Sequence, residues 1–164
     1  MPSEGYKSDL QANAAGRARL RSVLEGLTDE ELALPAGDGW TFAGYLAHIA
    51  FWDYRVLVLL KRWEKTGVGS SPIDTDAVND GMKPLCLALP PRVAANLVIE
   101  AAEAVDAALE NLPDGLEHGI EELVRQGIFR RNRSIHRNQH LDEIEQVVAR
   151  ARGVGVEFIR RLVS

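Results

Sequence analysis

The sequence predicts an all-α protein, a four-helix bundle built as one domain over residues 1–164. Three observations carry that expectation. Long segments repeat apolar residues at helical spacing, turn-rich joints separate them, and no strand-like alternation or internal repeat persists. At 164 residues the chain can bury roughly two-thirds of the surface exposed by its unfolded form. A composition of 46% hydrophobic and 26% charged residues is ordinary for a globular protein.

The first helix is expected from Ser8 to near Gly26, with Leu10, Ala14, Leu20, Leu24 and Leu27 on its buried side. Thr28 to Glu31 has capping-box spacing, so a short helical turn follows. Pro35 through Gly39 breaks the chain. Thr41 then caps a second helix that runs to about Lys65, before Gly67 and Gly69 end it. That helix is apolar almost all round, with Leu46, Leu57 and Val58 outside the sector of His48. Such a helix is central or is covered by a partner, and a homodimer is expected.

Residues 67–90 are rich in Gly, Ser, Pro, Asp and Asn. They read as a long connection between the second and third helices, of a length that is usually functional or disordered. Pro90 and Pro91 suit the start of a third helix. Val93, Leu97, Val98, Ala101, Val105, Ala108, Leu109 and Leu112 form its apolar stripe, and Glu100, Glu103, Asp106 and Glu110 its solvated side. Pro113, Asp114 and Gly115 stop it. An irregular or short helical piece precedes a final helix from about Ser134, with a bend at Gly153 and Gly155 before Val156 to Val163.

Charge and cysteine usage exclude some classes. The net charge is −5 and the pI about 5.4, which argues against nucleic acid as the main partner. The one cysteine, Cys86, cannot form an internal disulfide and fits a reducing cytosol. The opening MPSEGYKSDL has no apolar core of a signal peptide. His48, Asp53 and Arg55 interrupt the apolar run from Phe42 to Leu60, so a buried helix is expected there and no membrane span. A cytoplasmic protein is the expectation.

Three of the four histidines fall where helices would bring them together. His136 and His140 are one turn apart and share a face with Glu143, Ile144, Val147 and Ala151. On the second helix His48 shares its sector with Tyr45, Trp52, Leu59 and Trp63. Burying an unpaired imidazole costs on the order of 1–3 kcal/mol. Three such groups therefore favour a shared ligand, and three imidazoles with open positions suit Zn²⁺, Ni²⁺ or Fe²⁺ alike. The plainer alternative is three separate core histidines, each bonded to a carbonyl or carboxylate. His118 follows a Pro-Asp-Gly turn and reads as a surface residue. A zinc-protease helix needs Glu directly after the first histidine of its motif, where this chain has Arg137. Di-iron bundles need Glu-x-x-His pairs, and no histidine here has Glu three residues before it.

At these residues the chain resembles a known family. Trp40-Thr-Phe-Ala-Gly-Tyr-Leu-Ala-His48, followed by Trp52, is similar to the second-helix motif of the DinB/YfiT-like superfamily of metalloenzymes. His136-Arg-Asn-Gln-His140-Leu-Asp-Glu-Ile144 resembles that superfamily's last-helix motif, and helix order and the long connection agree. The resemblance implies a bundle, often dimeric, with a divalent metal held by His48, His136 and His140. It also implies chemistry of the kind its characterised relatives perform. These include S-transferases and isomerases that use low-molecular-weight thiols such as mycothiol or bacillithiol, and a hydrolase that detoxifies a reactive cyclopropane.

Other residues have two readings each. Glu143 is a candidate general base or carboxylate contact to the site, or a salt-bridge partner of a neighbouring arginine. Arg55, within about 20° of His48 on a helical wheel, could hold an anionic substrate or reach solvent over apolar neighbours. Arg125, Arg130, Arg131, Arg133 and Arg137 form either a basic rim for substrate carboxylates or a solvated surface facing the acidic third helix. Asp76 and Asn79 could contact substrate or simply cap turns. Cys86 is a nucleophile or a small apolar filler.

The expected function is a metal-dependent thiol S-transferase or related detoxification enzyme that activates a bound thiol or water for a small-molecule substrate. The alternative is a non-enzymatic metal or small-ligand binding bundle.

Overall fold

A computed structural model describes residues 3–113 and 115–162, the side chains of 154–162 excepted. Four long helices, α1 (Glu4–Glu25), α3 (Phe42–Thr66), α5 (Pro91–Glu110) and α7 (Ser134–Leu162), form the bundle. Short helices α2 (Asp29–Leu32), α4 (Thr75–Leu87) and α6 (Leu116–Arg125) sit in the connections. In the bundle α1 packs on α5 and α7, while α3 packs most extensively on α5 and also touches α7.

Local chemistry sets most boundaries. Ser3 accepts from the Tyr6 N–H and starts α1 one turn earlier than expected, since the cap lies before Ser8. Thr28 and Glu31 make the anticipated capping box of α2, and Thr41 accepts from the Gly44 N–H at 3.0 Å to open α3. Gly67, at φ +77°, ends α3 in a backbone conformation that side chains with a Cβ rarely adopt. The break at Pro35–Gly39 is a small antiparallel ladder, β1 (Pro35–Gly37) and β2 (Trp40–Thr41).

The largest departure from expectation is α4, inside the stretch 67–90 that reads as a connection. Asp74 caps it by accepting from the Ala77 N–H. Gly81 and Pro84 within it, and its polar composition, hide the helical pattern. Only Met82 and Cys86, one turn apart, are buried, so a narrow apolar stripe docks the helix on α3.

Some single-residue expectations are corrected too. Ala14 and Val93 are exposed, because the buried side of α1 turns on Tyr6, Asn13, Gly16, Leu20 and Leu24, and that of α5 begins at Ala94. Ala151 is also exposed. Asp106 is fully buried and not on the solvated side of α5. Leu46 and Leu57 are buried within the chain, while Phe51 and Val58 remain exposed on α3. His118 is exposed, as anticipated. The helix α7 continues through Gly153 and Gly155. Asp114 and Val163, the latter in the expected terminal segment, lie outside the described residues.

The core has two apolar layers. One joins Phe42, Leu46, Ala47 and Ala50 of α3 to Leu20, Leu24, Val98, Leu141 and Ile144. The other joins Val56, Leu60 and Trp63 to Val105, Leu109, Ile120, Leu123 and Phe129. Asp53 falls between them on α3, and a buried carboxylate there demands cationic partners. It finds Arg133 (Nε to Oδ1, 2.9 Å) and Arg137 (Nε to Oδ2, 2.9 Å). Arg137 also grips Asp106 with both terminal nitrogens, at 2.9 and 2.8 Å. Arg17 of α1 reaches the same Asp106 at 3.0 Å.

This charged layer and a second contact position the start of α7. Asn13 of α1, itself buried, accepts from the Arg133 and Ser134 N–H groups at 2.7 and 3.1 Å and donates to the Arg131 carbonyl. Close approach is possible because residue 16 is glycine, where a Cβ would lie 2.8 Å from that of Ser134. The first turn of α7, which carries His136, is therefore held against α1 by hydrogen bonds and against α3 and α5 by ion pairs.

Candidate metal centre

The anchored turn of α7 aims His136 at α3. Its Nε2 lies 3.2 Å from Nε2 of His48, and His140, one turn on, completes a triangle of rings with centroids 5.1 to 5.4 Å apart. One nitrogen from each ring can be chosen so that all three lie within 4.8 Å of one another. Two ligands about 2.0–2.1 Å from one ion stand roughly 3.0–3.4 Å apart at ordinary coordination angles. The closest pair meets that requirement, and small movements of His140 would complete it. These histidines form the one cluster of three or more metal-ligating groups found among the described residues.

The protonation state of the rings suits metal coordination. Burial, followed by the neighbouring His140, pushes the pKa of His48 down from 6.5 to about 4. Burial also dominates at His136, lowered to about 3, with His140, Arg133, His48 and Arg130 adding to the effect. His140 is lowered by burial too, opposed by Glu143. The rings are consequently neutral near pH 7, as ligands must be. Nδ1 of His48 and Nδ1 of His140 are both buried with no hydrogen-bond partner among the described residues, so neither ring is tied to a protein acceptor through that nitrogen. The donor set and the spacing fit a divalent ion, and the three histidines would hold it.

Linkage gives a test. In the unfolded chain these histidines take up protons near pH 6.5, whereas the folded rings resist protonation until about pH 4 and 3. Between those limits the unfolded state binds more protons, so stability is full above about pH 6.5 and declines as pH falls. Urea midpoints of chelator-treated protein are expected to drop between pH 7 and about pH 5, before most carboxylates titrate. A flat midpoint across that window would contradict the buried, neutral cluster.

Aromatic rings enclose the histidines. Tyr45 lies 4.6 Å from His140 by ring centroids, and Trp40 and Trp52 flank His48 at 5.6 and 6.3 Å. The Trp52 indole N–H donates to Oδ1 of Asn79 at 3.1 Å, tying α4 to the site. A cavity of about 370 Å³ opens beside His48 and His136 and extends between α3, the start of α4 and the segment leading into α7.

The other expected site residues are distributed unevenly. Glu143 has Oε2 3.5 Å from Nδ1 of His140 and is half exposed. Arg55 lines the cavity, and its Nη2 donates to the carbonyl and hydroxyl of Ser71. Arg137 is not brought to the cavity. It is fully buried, with its guanidinium committed to Asp53 and Asp106, so it braces the helix that carries the histidines. The five arginines thus form neither one rim nor one solvated face. Arg125 pairs with Glu122 at the surface, Arg131 is buried against Asp9 and Glu121, and Arg130 and Arg133 line the cavity. Asn79 also lines it, Asp76 is exposed on α4, and Cys86 is a buried apolar filler whose thiol pKa is raised by burial.

Asp53 and Asn13 were missed as supports of the site. For Asp53 a signal existed: a carboxylate in the most apolar stretch of the chain must be paired if buried. Asn13 left none, since its partners lie about 120 residues away.

Fold and site together define a class, an all-α bundle whose second and last long helices converge three histidines able to hold a divalent ion. The chain belongs to the DinB superfamily, whose family model matches residues 12–154. That span includes all three histidines and the charged layer behind them. No significant match exists among curated proteins or solved structures.

Proposed function

We propose that this protein is a divalent-metal-dependent enzyme that activates a thiol or a water molecule. Its reaction on this reading is S-transfer from a low-molecular-weight thiol to an electrophile, or a related detoxifying hydrolysis. The observation that carries it is the meeting of three neutral imidazoles beside a cavity large enough for a small molecule. What an ion supplies when bound there is Lewis acidity, which lowers the pKa of a thiol or water toward neutrality. Histidine donors alone do not choose among zinc, nickel and iron.

The chain's own residues divide the remaining work. His48, His136 and His140 supply the donor atoms. Glu143, with Oε2 3.5 Å from Nδ1 of His140, is the carboxylate placed to orient that ring. A role for Glu143 as general base requires it to reach past the imidazole, so orientation is the role assigned. Arg55 holds the substrate, while Trp40, Tyr45 and Trp52 keep water from the rings. The preference for a thiol rests on the resemblance of the two histidine motifs to those of thiol-using relatives, which is analogy. A cytoplasmic homodimer belongs to the same reading. The lone Cys86 suits a reducing compartment, and a second copy would cover Phe51 and Val58.

The experiment is turnover with defined metal. Protein purified without an affinity tag, stripped and reloaded with zinc, nickel or iron, is assayed with thiol and electrophile pairs and with hydrolysable electrophiles alone. The expected result is acceleration that disappears with chelator and in His48→Ala. Stoichiometric metal binding without acceleration of any pair would favour the non-enzymatic metal-binding bundle.

A further inference from the structure

The cavity beside the histidines has an unusual lining for this protein. The chain carries 24 acidic residues against 19 basic ones, yet among the described residues no carboxylate lines the cavity and three arginines do: Arg55, Arg130 and Arg133. Their state of pairing differs. Arg133 is neutralised from behind by Asp53, and Nη1 bonds the Arg130 carbonyl, which leaves Nη2 with no protein partner among the described residues. Among the described residues Arg55 bonds only the uncharged oxygens of Ser71, and it lies over the Trp52 ring at 5.8 Å. Arg130 is exposed and has no carboxylate partner among the described residues. Burial, and then the positive charges of Arg133 and Arg62, lower the pKa of Arg55, as expected where cations crowd without counter-charge.

The second half of the lining is apolar and unexpectedly exposed. Ile73, Ile128 and Ile135 all belong to the cavity wall, and they are 39%, 53% and 61% exposed. Three isoleucines left in water from three separate segments, around one opening, form the kind of surface that a ligand covers.

We infer that the cavity takes an organic carboxylate with an apolar body, its carboxylate held by Arg55 and Arg130 and its body covering Ile73, Ile128 and Ile135. The inference deepens the proposed function, since it names the substrate class of the same site. The planar guanidinium fork of Arg130 matches a carboxylate with two parallel hydrogen bonds, and Arg55 adds single bonds from Nε and Nη1, the nitrogens that Ser71 does not take. Arg133 adds its free nitrogen, but its pairing with Asp53 makes it half structural. The free ends of Arg55 and Arg130 therefore carry the selectivity for charge, and the isoleucines that for shape.

The test separates this inference from the metal reading. Binding of 4-phenylbutyrate and of its uncharged analogue 4-phenylbutan-1-ol is measured by calorimetry on metal-free protein, where a carboxylate gains nothing from coordination. Zinc affinity is measured in parallel by competition with a chromogenic chelator. The carboxylate is expected to bind at least about tenfold more tightly than the alcohol. Arg55→Met and Arg130→Met should each lower its affinity by about tenfold or more, with zinc affinity and circular dichroism unchanged. An alcohol that binds as well as the carboxylate, variants that bind like the parent, or no binding of the carboxylate to the parent would each overturn the inference. Retained charge selectivity in a protein that fails to bind zinc would support the anion site while refuting the metal reading.

Discussion

Asp53→Ala is expected to lose about 3–5 kcal/mol of folding stability, the usual cost of removing one partner from a buried ion pair. The side chain is fully buried and takes one bond from Arg133 and one from Arg137, both also buried. Without it, both Nε groups lose their acceptor inside the bundle, between two apolar layers that offer no replacement. At a typical urea slope of about 2 kcal/mol per molar, the midpoint should fall by roughly 1.5–2.5 M. Asp53→Asn keeps one acceptor oxygen and should lose less. A midpoint within about 0.2 M of the parent would mean that the charged layer does not hold α3 to α7.

The second large effect is at the ligands themselves. His136→Ala is expected to weaken zinc binding by more than about 100-fold, since changing even the outer partners of metal ligands costs about 10–100-fold. Its Nε2 makes the closest approach in the cluster, 3.2 Å to His48, and the two remaining rings alone make a weak site. Removing one partly buried ring should leave the bundle folded, because the Asp53, Arg137 and Asp106 contacts flank it and stay intact. His118→Ala, at an exposed position of α6, serves as the control and should bind zinc like the parent. Chelator competition reads both. Equal zinc affinity in His136→Ala and the parent would remove this centre from consideration.

The two effects are connected through one turn of helix. His136 sits between Arg133 and Arg137, so the ion pairs that stabilise the bundle also set where the ring points. Only half of that connection was legible beforehand. An i, i+4 pair of histidines on an amphipathic helix, facing a histidine in an apolar helix, is a local pattern readable from spacing. The charged residues behind the ring were present in the same segments, but Asp106 has solvated glutamates for neighbours on α5 and no local feature distinguishes it from them. Its partners Arg17 and Arg137 lie 89 and 31 residues away.

The helix α4 shows a similar limit. A proline and a glycine within thirteen residues lower intrinsic helix propensity, and only docking of Met82 and Cys86 makes the helix worthwhile. Its existence then brings Asn79 to Trp52 and Thr75 to the cavity wall. A stretch that reads as a loop thus helps to shape the site.

Periodicity, capping residues and turn punctuation determined by themselves the all-α class, the order of the four long helices and the shared face of His136 and His140. Each is a property of neighbours within about two turns, where side-chain direction follows from backbone geometry alone. Only the tertiary structure decided which arginines are structural and which face the cavity. Arg130, Arg133 and Arg137 lie within one short segment, yet one is exposed, one shared between core and cavity, and one wholly buried. The state of a long cationic side chain is set by whichever carboxylates the packed helices bring within reach. No spacing along the chain encodes that distance.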